Sequence, residues 1–288
     1  LTPGANVTVG DAIIAINGQQ VTRERGPQQL LVNQAGQEVE LVVQPAGGSA
    51  TRTVTVRANG NPHAGRYRDW VAANRRAVHD ATGGRVGYLH IPDMMYDGFA
   101  EFHRSYLTQF DLAGLIVDIR WNGGGAVSAL VLEKLARPRL GYSFPRYGEP
   151  EPYFYESPRG ALVAITDENA GSDGDIFSHA FKMLKLGPLV GKRTWGGVIG
   201  IEPYMPLADG TMTTQPEFSF WFNDVGWGVE NYGTDPTIEV EYPPQAHAAG
   251  KDPQLERAIT EALRLLAENP HATPQPGPHP YRGAPPRG

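Results

Sequence analysis

The sequence predicts an α/β domain that follows a smaller, β-rich domain. Two stretches show an apolar strand, a glycine-containing turn and a helix in succession: LAGLIVDIR continues into NGGGAVSALVLEKLAR, and ALVAIT continues into NAGSDGDIFSHAFKMLKLG. This alternation is typical of βαβ units in a parallel sheet. Nearer the amino terminus, EVELVVQPA and ATRTVTVRA alternate apolar and polar residues on either side of Gly47-Gly48, which predicts an antiparallel hairpin.

The predicted amino-terminal domain consists of short strands and one short helix. A strand at residues 12–16 is reversed by the Asn-Gly turn at 17–18, a poorly patterned helix follows near 28–33, and the hairpin ends near Arg57. The chain opens on a sequence typical of the middle of a domain. We therefore interpret it as a fragment, and its lack of a targeting signal is uninformative.

The later elements continue the α/β pattern. A helix at Tyr67–His79 precedes the strand RVGYLHIP and a helix at Tyr96–Gln109. Residues 188–242 are rich in glycine and aromatics, which indicates β-structure with long loops, and Leu255–Ala267 is amphipathic. The final stretch is proline-rich with few apolar residues, which is typical of disorder. The predicted organisation is a partial β-rich domain at 1–57, a linker helix at 58–84, the α/β domain at 85–268 and a disordered tail at 269–288.

The composition excludes several classes of protein. Of the 288 residues, 40% are apolar and 19% are charged, as in a soluble globular protein, and no apolar run is long enough to span a membrane. The net charge of −6, without blocks of one sign, gives no support for a nucleic-acid partner. Cysteine is absent, and the eight histidines form no metal-ligand pair at short spacing. We therefore predict no metal, no other cofactor, and no nucleic-acid or membrane partner.

The stretch NAGSDGDIF, residues 169–177, contains a candidate nucleophile. Ser172 precedes a predicted helix and has Asp175 three residues on, the spacing of a capping box that would only satisfy free backbone amides. Alternatively, a sharp turn at Gly171 exposes the hydroxyl at a helix N-terminus, where free amides point towards a developing oxyanion. The complete G-x-S-x-G pattern is missing because residue 170 is alanine, so these residues alone leave both interpretations open.

Three consecutive glycines end the other apolar strand, in DIRWNGGG, residues 118–125. Glycines let a substrate backbone approach closely and leave their own amides unblocked, as an oxyanion hole requires. A tight strand-to-helix turn would use the same residues. Neither GxxxxGK[ST] nor GxGxxG is present, so a nucleotide site is not predicted.

Four stretches, taken in order, carry a resemblance to a known family: GYLHIPDM, VDIRWNGGG, NAGSDGDIF and GWGVENYGTDP. Together they resemble the C-terminal part of the tricorn core proteases, relatives of the carboxy-terminal processing (tail-specific) serine peptidases. VGDAIIAINGQQVT resembles the second part of the PDZ domain inserted in those proteases. The resemblance covers residues 1 to about 265. It implies a crotonase-like, ClpP/tail-specific α/β protease core behind an N-terminally truncated PDZ domain, a cytoplasmic location, an oligopeptide substrate and a homo-oligomeric full-length protein.

The resemblance also assigns roles to individual residues. Ser172 matches the nucleophile, the amide of Asp173 matches one oxyanion donor, and Glu230 matches the acidic member of a Ser-His-Ser-Glu tetrad. Gly200 and Ile201, in GGVIGIEP, match a strand edge that pairs with the peptide. Without the resemblance, Glu230 is equally a cap of the turn that follows it, and GGVIGIEP an ordinary turn and strand. The glycines that match the segment holding the substrate backbone and supplying the second donor are Gly123, Gly124 and Gly125. The last two are favoured for the donor itself.

The general base is not identified in this sequence. In the family it is a histidine that is preceded by a serine and lies before the PDZ domain, upstream of this chain. His179 shares a helix face with Ser172 but lies about 10 Å away along the axis, too far for direct proton transfer. His90 and His103 receive no role. Because a serine hydroxyl without a base is a poor nucleophile, the isolated chain is expected to be inactive.

Two other functions remain compatible with these residues. A crotonase-like lyase would also use strand-end amides as an oxyanion hole, with carboxylates as acid and base. A binding module would hold peptides along the same strand edge without cutting them.

Overall fold

The structure is a computed structural model that describes residues 4–202, 204–270, 274–278 and 283. It divides into two compact units, residues 1–70 and 71–288. Most of the proline-rich stretch 269–288, for which disorder is predicted, lies outside the described residues. Among the described helices, none combines the length and the apolar character that crossing a membrane requires.

The first unit is built on a four-stranded antiparallel sheet in the order β2-β1-β3-β4. The predicted Asn-Gly turn reverses β1 into β2, with positive φ at both Asn17 and Gly18. Alternation along β3 buries Val39, Leu41 and Val43, so the predicted hairpin of β3 and β4 is confirmed. The elements are β1 (Ala12–Ile16), β2 (Gln19–Gln20), α1 (Pro27–Leu30), β3 (Glu38–Gln44) and β4 (Arg52–Arg57).

The second unit contains a five-stranded parallel sheet in the order β13-β10-β9-β6-β5, which confirms the predicted α/β class. The division between the units falls within the long helix α2 (His63–Thr82). The elements are α2 (His63–Thr82), β5 (Val86–His90), α3 (Tyr96–Tyr106), β6 (Gly114–Asp118), α4 (Ser128–Leu135), β7 (Gly141–Ser143), β8 (Glu151–Tyr153), β9 (Ala161–Thr166), α5 (Asp173–Met183), β10 (Leu189–Gly191), β11 (Gly200–Glu202), β12 (Gln215–Phe218), β13 (Ile238–Glu239), α6 (Pro244–Ala248) and α7 (Pro253–Glu268).

The parallel sheet is covered on both faces, which explains why its central strands are apolar along their whole length. One apolar cluster contains residues of α3, α4 and α5, and the other contains residues of α2 and α7. Strands β6 and β9 are direct neighbours, with Asp118 opposite Ile165. Their carboxyl ends therefore meet at one edge of the sheet, and the turn after β6 lies beside the turn after β9.

A buried ionic network joins the end of β6 to the start of α7. The Arg120 guanidinium is fully buried and pairs with Asp118 Oδ2 at 2.7 Å and with Asp252 Oδ2 at 2.9 Å. The Tyr88 hydroxyl donates to Asp118 Oδ2 at 2.8 Å, and the Asn74 side-chain amide donates to the Tyr88 oxygen at 2.9 Å. Burial alone would raise the pKa of Asp118, but the charge and hydrogen bonds of Arg120 hold it below its usual value. The network thus fixes the strand end from which the glycine turn departs.

We expect the cap that Asp252 provides to contribute measurably to the stability of α7. Its carboxylate accepts a hydrogen bond from the Leu255 amide at 2.9 Å, in the N-cap position. Asp252→Ala should lower the free energy of unfolding by at least about 1–2 kcal/mol, because it removes the cap and also one carboxylate partner of the buried Arg120. Asp252→Asn, which keeps a cap acceptor, should lower it less. Urea denaturation of both variants measures the difference, and equal losses would contradict the capping role.

Candidate active site

Ser172 occupies a strained turn between β9 and α5. Its backbone has φ 54° and ψ −119°, an unusual conformation that costs a residue with a side chain about 1–3 kcal/mol. Its side chain makes no capping hydrogen bond to α5, and the Asp175 carboxylate accepts bonds from the amides of Gly196 and Gly197. The Ser172 side chain therefore does not form its half of the predicted capping box, and the turn leaves the Ser172 hydroxyl uncommitted at a helix N-terminus.

The glycine turn after β6 lies directly against Ser172. A Cβ added at Gly124 would lie 2.5 Å from the Ser172 Cβ and 2.9 Å from the Asp173 nitrogen. The Gly171 amide donates to the Asn122 carbonyl oxygen at 2.9 Å, which joins the two turns by their backbones. The contact is closer than any side chain at Gly124 would allow, so this glycine is required by geometry as well as by its φ of +90°.

The glycine turn 123–125 and the turn at 171–173 together form what we call the corner. Its backbone amides differ in whether they already donate a hydrogen bond. The Gly124 amide donates to Asn122 Oδ1 at 2.9 Å and is therefore occupied. The Gly125 and Asp173 amides have no acceptor in the described part of the chain. Gly125 is held in place by its neighbours, because the Met94 amide donates to the Gly124 oxygen at 2.8 Å and the Ala126 amide to the Met94 oxygen at 2.7 Å.

Asn122 was not predicted as a site residue. Its side chain is fully buried, and besides accepting from Gly124 it donates from Nδ2 to the Ile91 oxygen at 2.9 Å. One residue thus connects the glycine turn, the end of β5 and the turn of Ser172. The asparagine in WNGGG was the only available signal, and an asparagine before glycines is an ordinary turn residue.

The Asp173 side chain makes contacts that are separate from the role assigned to its backbone amide. Its carboxylate accepts a 2.9 Å hydrogen bond from the Ser128 amide through Oδ2, and another from the Ser128 hydroxyl through Oδ1. These bonds tie the first turn of α5 to the first turn of α4. The side chain therefore positions the helix, while the amide remains unbonded beside Gly124.

Glu230 and the predicted substrate edge lie next to each other. The Glu230 Oε2 atom accepts hydrogen bonds from the Val198 amide at 2.6 Å and the Ile199 amide at 3.0 Å. These two residues lead into β11, which contains Gly200 and the exposed Ile201 and pairs with β12. Gly123 is exposed, and a Cβ added there would meet no atom within 4 Å.

The three histidines considered as bases have partners elsewhere. The buried His179 has Nε2 3.0 Å from Oδ1 of the exposed Asp224. His90 Nε2 lies 2.9 Å from the Arg120 carbonyl oxygen, and burial lowers its pKa. His103 Nδ1 lies 3.1 Å from the Phe99 carbonyl oxygen in the same helix. That none of the three serves as the base of Ser172 stays a prediction.

Two known protein families match this chain, one in each of its two units. Residues 85–240 match the family described as Peptidase family S41, which includes the whole corner around Ser172. The chain belongs to peptidase family S41. Residues 1–59 match the Tricorn protease PDZ domain.

Several individual relatives of this S41 chain are similar over nearly all of it. It is 50% identical over 272 residues to Tricorn protease homolog 1 of Streptomyces coelicolor, covering 94% of this chain and 26% of that protein. It is 47% identical over 266 residues to the Tricorn protease of Thermoplasma acidophilum, covering 92% and 25%. A crystal structure of the tricorn protease matches with a TM-score of 0.86 at 48% identity, covering 90% and 25%. This S41 chain therefore spans about a quarter of the length of these relatives.

Proposed function

We propose that this chain carries the nucleophile, the oxyanion hole and the substrate edge of a tricorn-like serine endopeptidase that hydrolyses oligopeptides. The observation that carries the proposal is the position of Ser172, in a strained turn against Gly124, next to the uncommitted amides of Gly125 and Asp173. A strained nucleophile at a helix N-terminus beside two free amides is the arrangement that acyl transfer requires.

In the proposed reaction, the Ser172 Oγ attacks the carbonyl carbon of the scissile peptide while its proton passes to a base. The charge that develops on the carbonyl oxygen is stabilised by the amides of Gly125 and Asp173, because Asn122 already occupies the Gly124 amide. The base then passes the proton to the leaving nitrogen, and collapse expels the amine and leaves an acyl ester on Ser172. Water then hydrolyses the ester and restores the hydroxyl.

By resemblance to the family, we infer that the base is a histidine outside these 288 residues; within the described part of the chain, His179 and His90 are hydrogen-bonded to other groups. Glu230 is proposed as the acidic member of the tetrad. Gly200 and Ile201 are proposed to pair with the peptide backbone, with Gly123 in open space beside the cleaved bond.

The remaining proposals concern the architecture and setting of the whole protein. We propose a crotonase-like core, supported by the parallel sheet, with a linker helix before it and a truncated PDZ domain as the first unit. We further propose a homo-oligomer in the cytoplasm, by resemblance to the tricorn family.

A fluorophosphonate probe tests the proposed function in the full-length protein. We expect the probe to label one peptide, which contains Ser172, because only a serine activated by a base reacts with it. Ser172→Ala should remove the label, and heat-denatured protein serves as the control for non-specific reaction. Turnover of a thioester without labelling would favour the lyase, and peptide binding without labelling or turnover would favour the binding module.

A further inference from the structure

Four consecutive backbone amides before β11 are held by two carboxylates. Gly196 donates to Asp175 Oδ1 at 2.8 Å and Gly197 donates to Asp175 Oδ2 at 3.3 Å. The next two amides, of residues 198 and 199, donate to Glu230 Oε2 at 2.6 and 3.0 Å. Asp175 and Glu230 thus hold the segment 196–199 between the nucleophile helix and the loop that carries Glu230.

The segment 196–199 has little freedom to move while these bonds are made. The amide of Trp195 donates to the Ala170 oxygen at 2.9 Å, just before the Ser172 turn. The amide of Asn231 donates to the Gly196 oxygen at 2.7 Å. A Cβ added at Gly196 would lie 2.6 Å from the Gly233 nitrogen, so the backbone lies directly against the Glu230 loop.

Burial of the Asp175 carboxylate has a free-energy cost that is not needed merely to begin α5. Asp175 is fully buried, and burial raises its pKa despite the hydrogen bonds from Thr194, Gly196, Gly197 and the Ser172 backbone. A surface aspartate or serine would favour a helix N-terminus without a buried charge. What Asp175 adds is a rigid link, because it lies three residues after Ser172 and its partners, Gly196 and Gly197, lie a few residues before β11.

We propose that Asp175 is a positioning residue that, together with Glu230, fixes the strand edge Gly200–Glu202 relative to Ser172 through the segment 196–199. This inference rests on the proposed function, because it assigns β11 to substrate binding. The segment therefore sets the position, relative to Ser172, of a peptide that pairs with that edge. Loss of the link therefore weakens binding of substrate and transition state alike, which raises KM more than it lowers kcat.

Amide hydrogen exchange tests the link without any assay of catalysis. In the unsubstituted protein, all four amides of 196–199 should exchange slowly, like those of the sheet. In Asp175→Asn, the amides of Gly196 and Gly197 should exchange at least about 10-fold faster, because the carboxamide presents a donor to one of them. The amides of residues 198 and 199, held by Glu230, should change less. Exchange of Gly196 and Gly197 at the rate of an unfolded chain in the unsubstituted protein overturns the proposal, whether or not the variant folds.

Steady-state kinetics tests the role of the link in the protein as encoded. Asp175→Asn should raise KM for oligopeptides about 10-fold, with kcat changed by less than about threefold. Asp224→Asn is the matched control, since it makes the same change at an exposed carboxylate bonded to His179 on α5, and its KM should stay unchanged. Hydrolysis by Asp175→Asn with an unchanged KM, or with a loss confined to kcat, overturns the role of Asp175 alone. Absence of hydrolysis in the unsubstituted protein overturns the proposed function, and this inference with it.

Discussion

Replacing Ser172 with alanine is expected to lower kcat for peptide hydrolysis by on the order of 10⁴–10⁶-fold, the loss that follows removal of a catalytic serine. The reason is that the uncommitted Ser172 hydroxyl is the proposed nucleophile, in the turn against Gly124 and next to the free amides of Gly125 and Asp173. The side chain makes no capping hydrogen bond, so its removal should leave the fold intact. Turnover of a fluorogenic oligopeptide by the protein as encoded measures the effect.

Ser178→Ala is the matched control for this loss. It removes a serine hydroxyl from the same helix, where that group donates to the Gly174 oxygen at 2.9 Å and is fully buried. Its turnover should stay within about threefold of the unsubstituted protein, since the helix keeps its own backbone bonds. Retention of turnover by Ser172→Ala would refute the assignment of the nucleophile.

The neighbourhood of Ser172 and the three glycines was predictable from the sequence because it depends on topology. Two apolar strands, each followed by a glycine turn and a helix, predict parallel neighbours whose carboxyl ends meet. The pairing of Asp118 with Ile165 places both turns at the same edge of the sheet. No side-chain detail was needed for this step.

The hydrogen bonds that organise the site could not be predicted in the same way. Asp175 lies 21 and 22 residues before the amides it accepts from, and Glu230 more than 30 residues after its own. Such contacts depend on how separate turns pack, and a lone aspartate in the first turn of a helix is equally typical of a cap. That local pattern is why a capping box was a reasonable interpretation, although the Ser172 side chain does not make its half of the box.

Short elements were also hard to predict, because they have too few residues to show a period. The antiparallel pair β7 and β8 has three residues in each strand and no alternating pattern around it. Helix α1 covers Pro27–Leu30, whereas a helix near 28–33 was predicted. Long periodic elements fared better: the helix predicted at Leu255–Ala267 extends over Pro253–Glu268, where its apolar face packs on the sheet.

Gly124→Ala should lower kcat by about 10²–10³-fold, the cost of displacing one oxyanion donor. The added Cβ would lie 2.5 Å from the Ser172 Cβ and 2.9 Å from the Asp173 nitrogen, and a φ of +90° is strained for alanine. Something at the corner must move, and the nearest atoms belong to the nucleophile Ser172, to the proposed donor Asp173 and to the Gly171 carbonyl. KM should change much less, because β11 is held separately through Asp175 and Glu230.

Gly141→Ala is the matched control for Gly124→Ala. It makes the same substitution in β7, where an added Cβ meets nothing within 4 Å. Both variants are to be compared by thermal unfolding as well as by turnover, so that a loss of activity at an unchanged melting temperature is attributed to the corner itself. A hydrogen bond weakens when its donor is displaced from the preferred distance and angle. If Gly124→Ala keeps kcat within about threefold of the unsubstituted protein, the charge of the tetrahedral intermediate is therefore stabilised elsewhere.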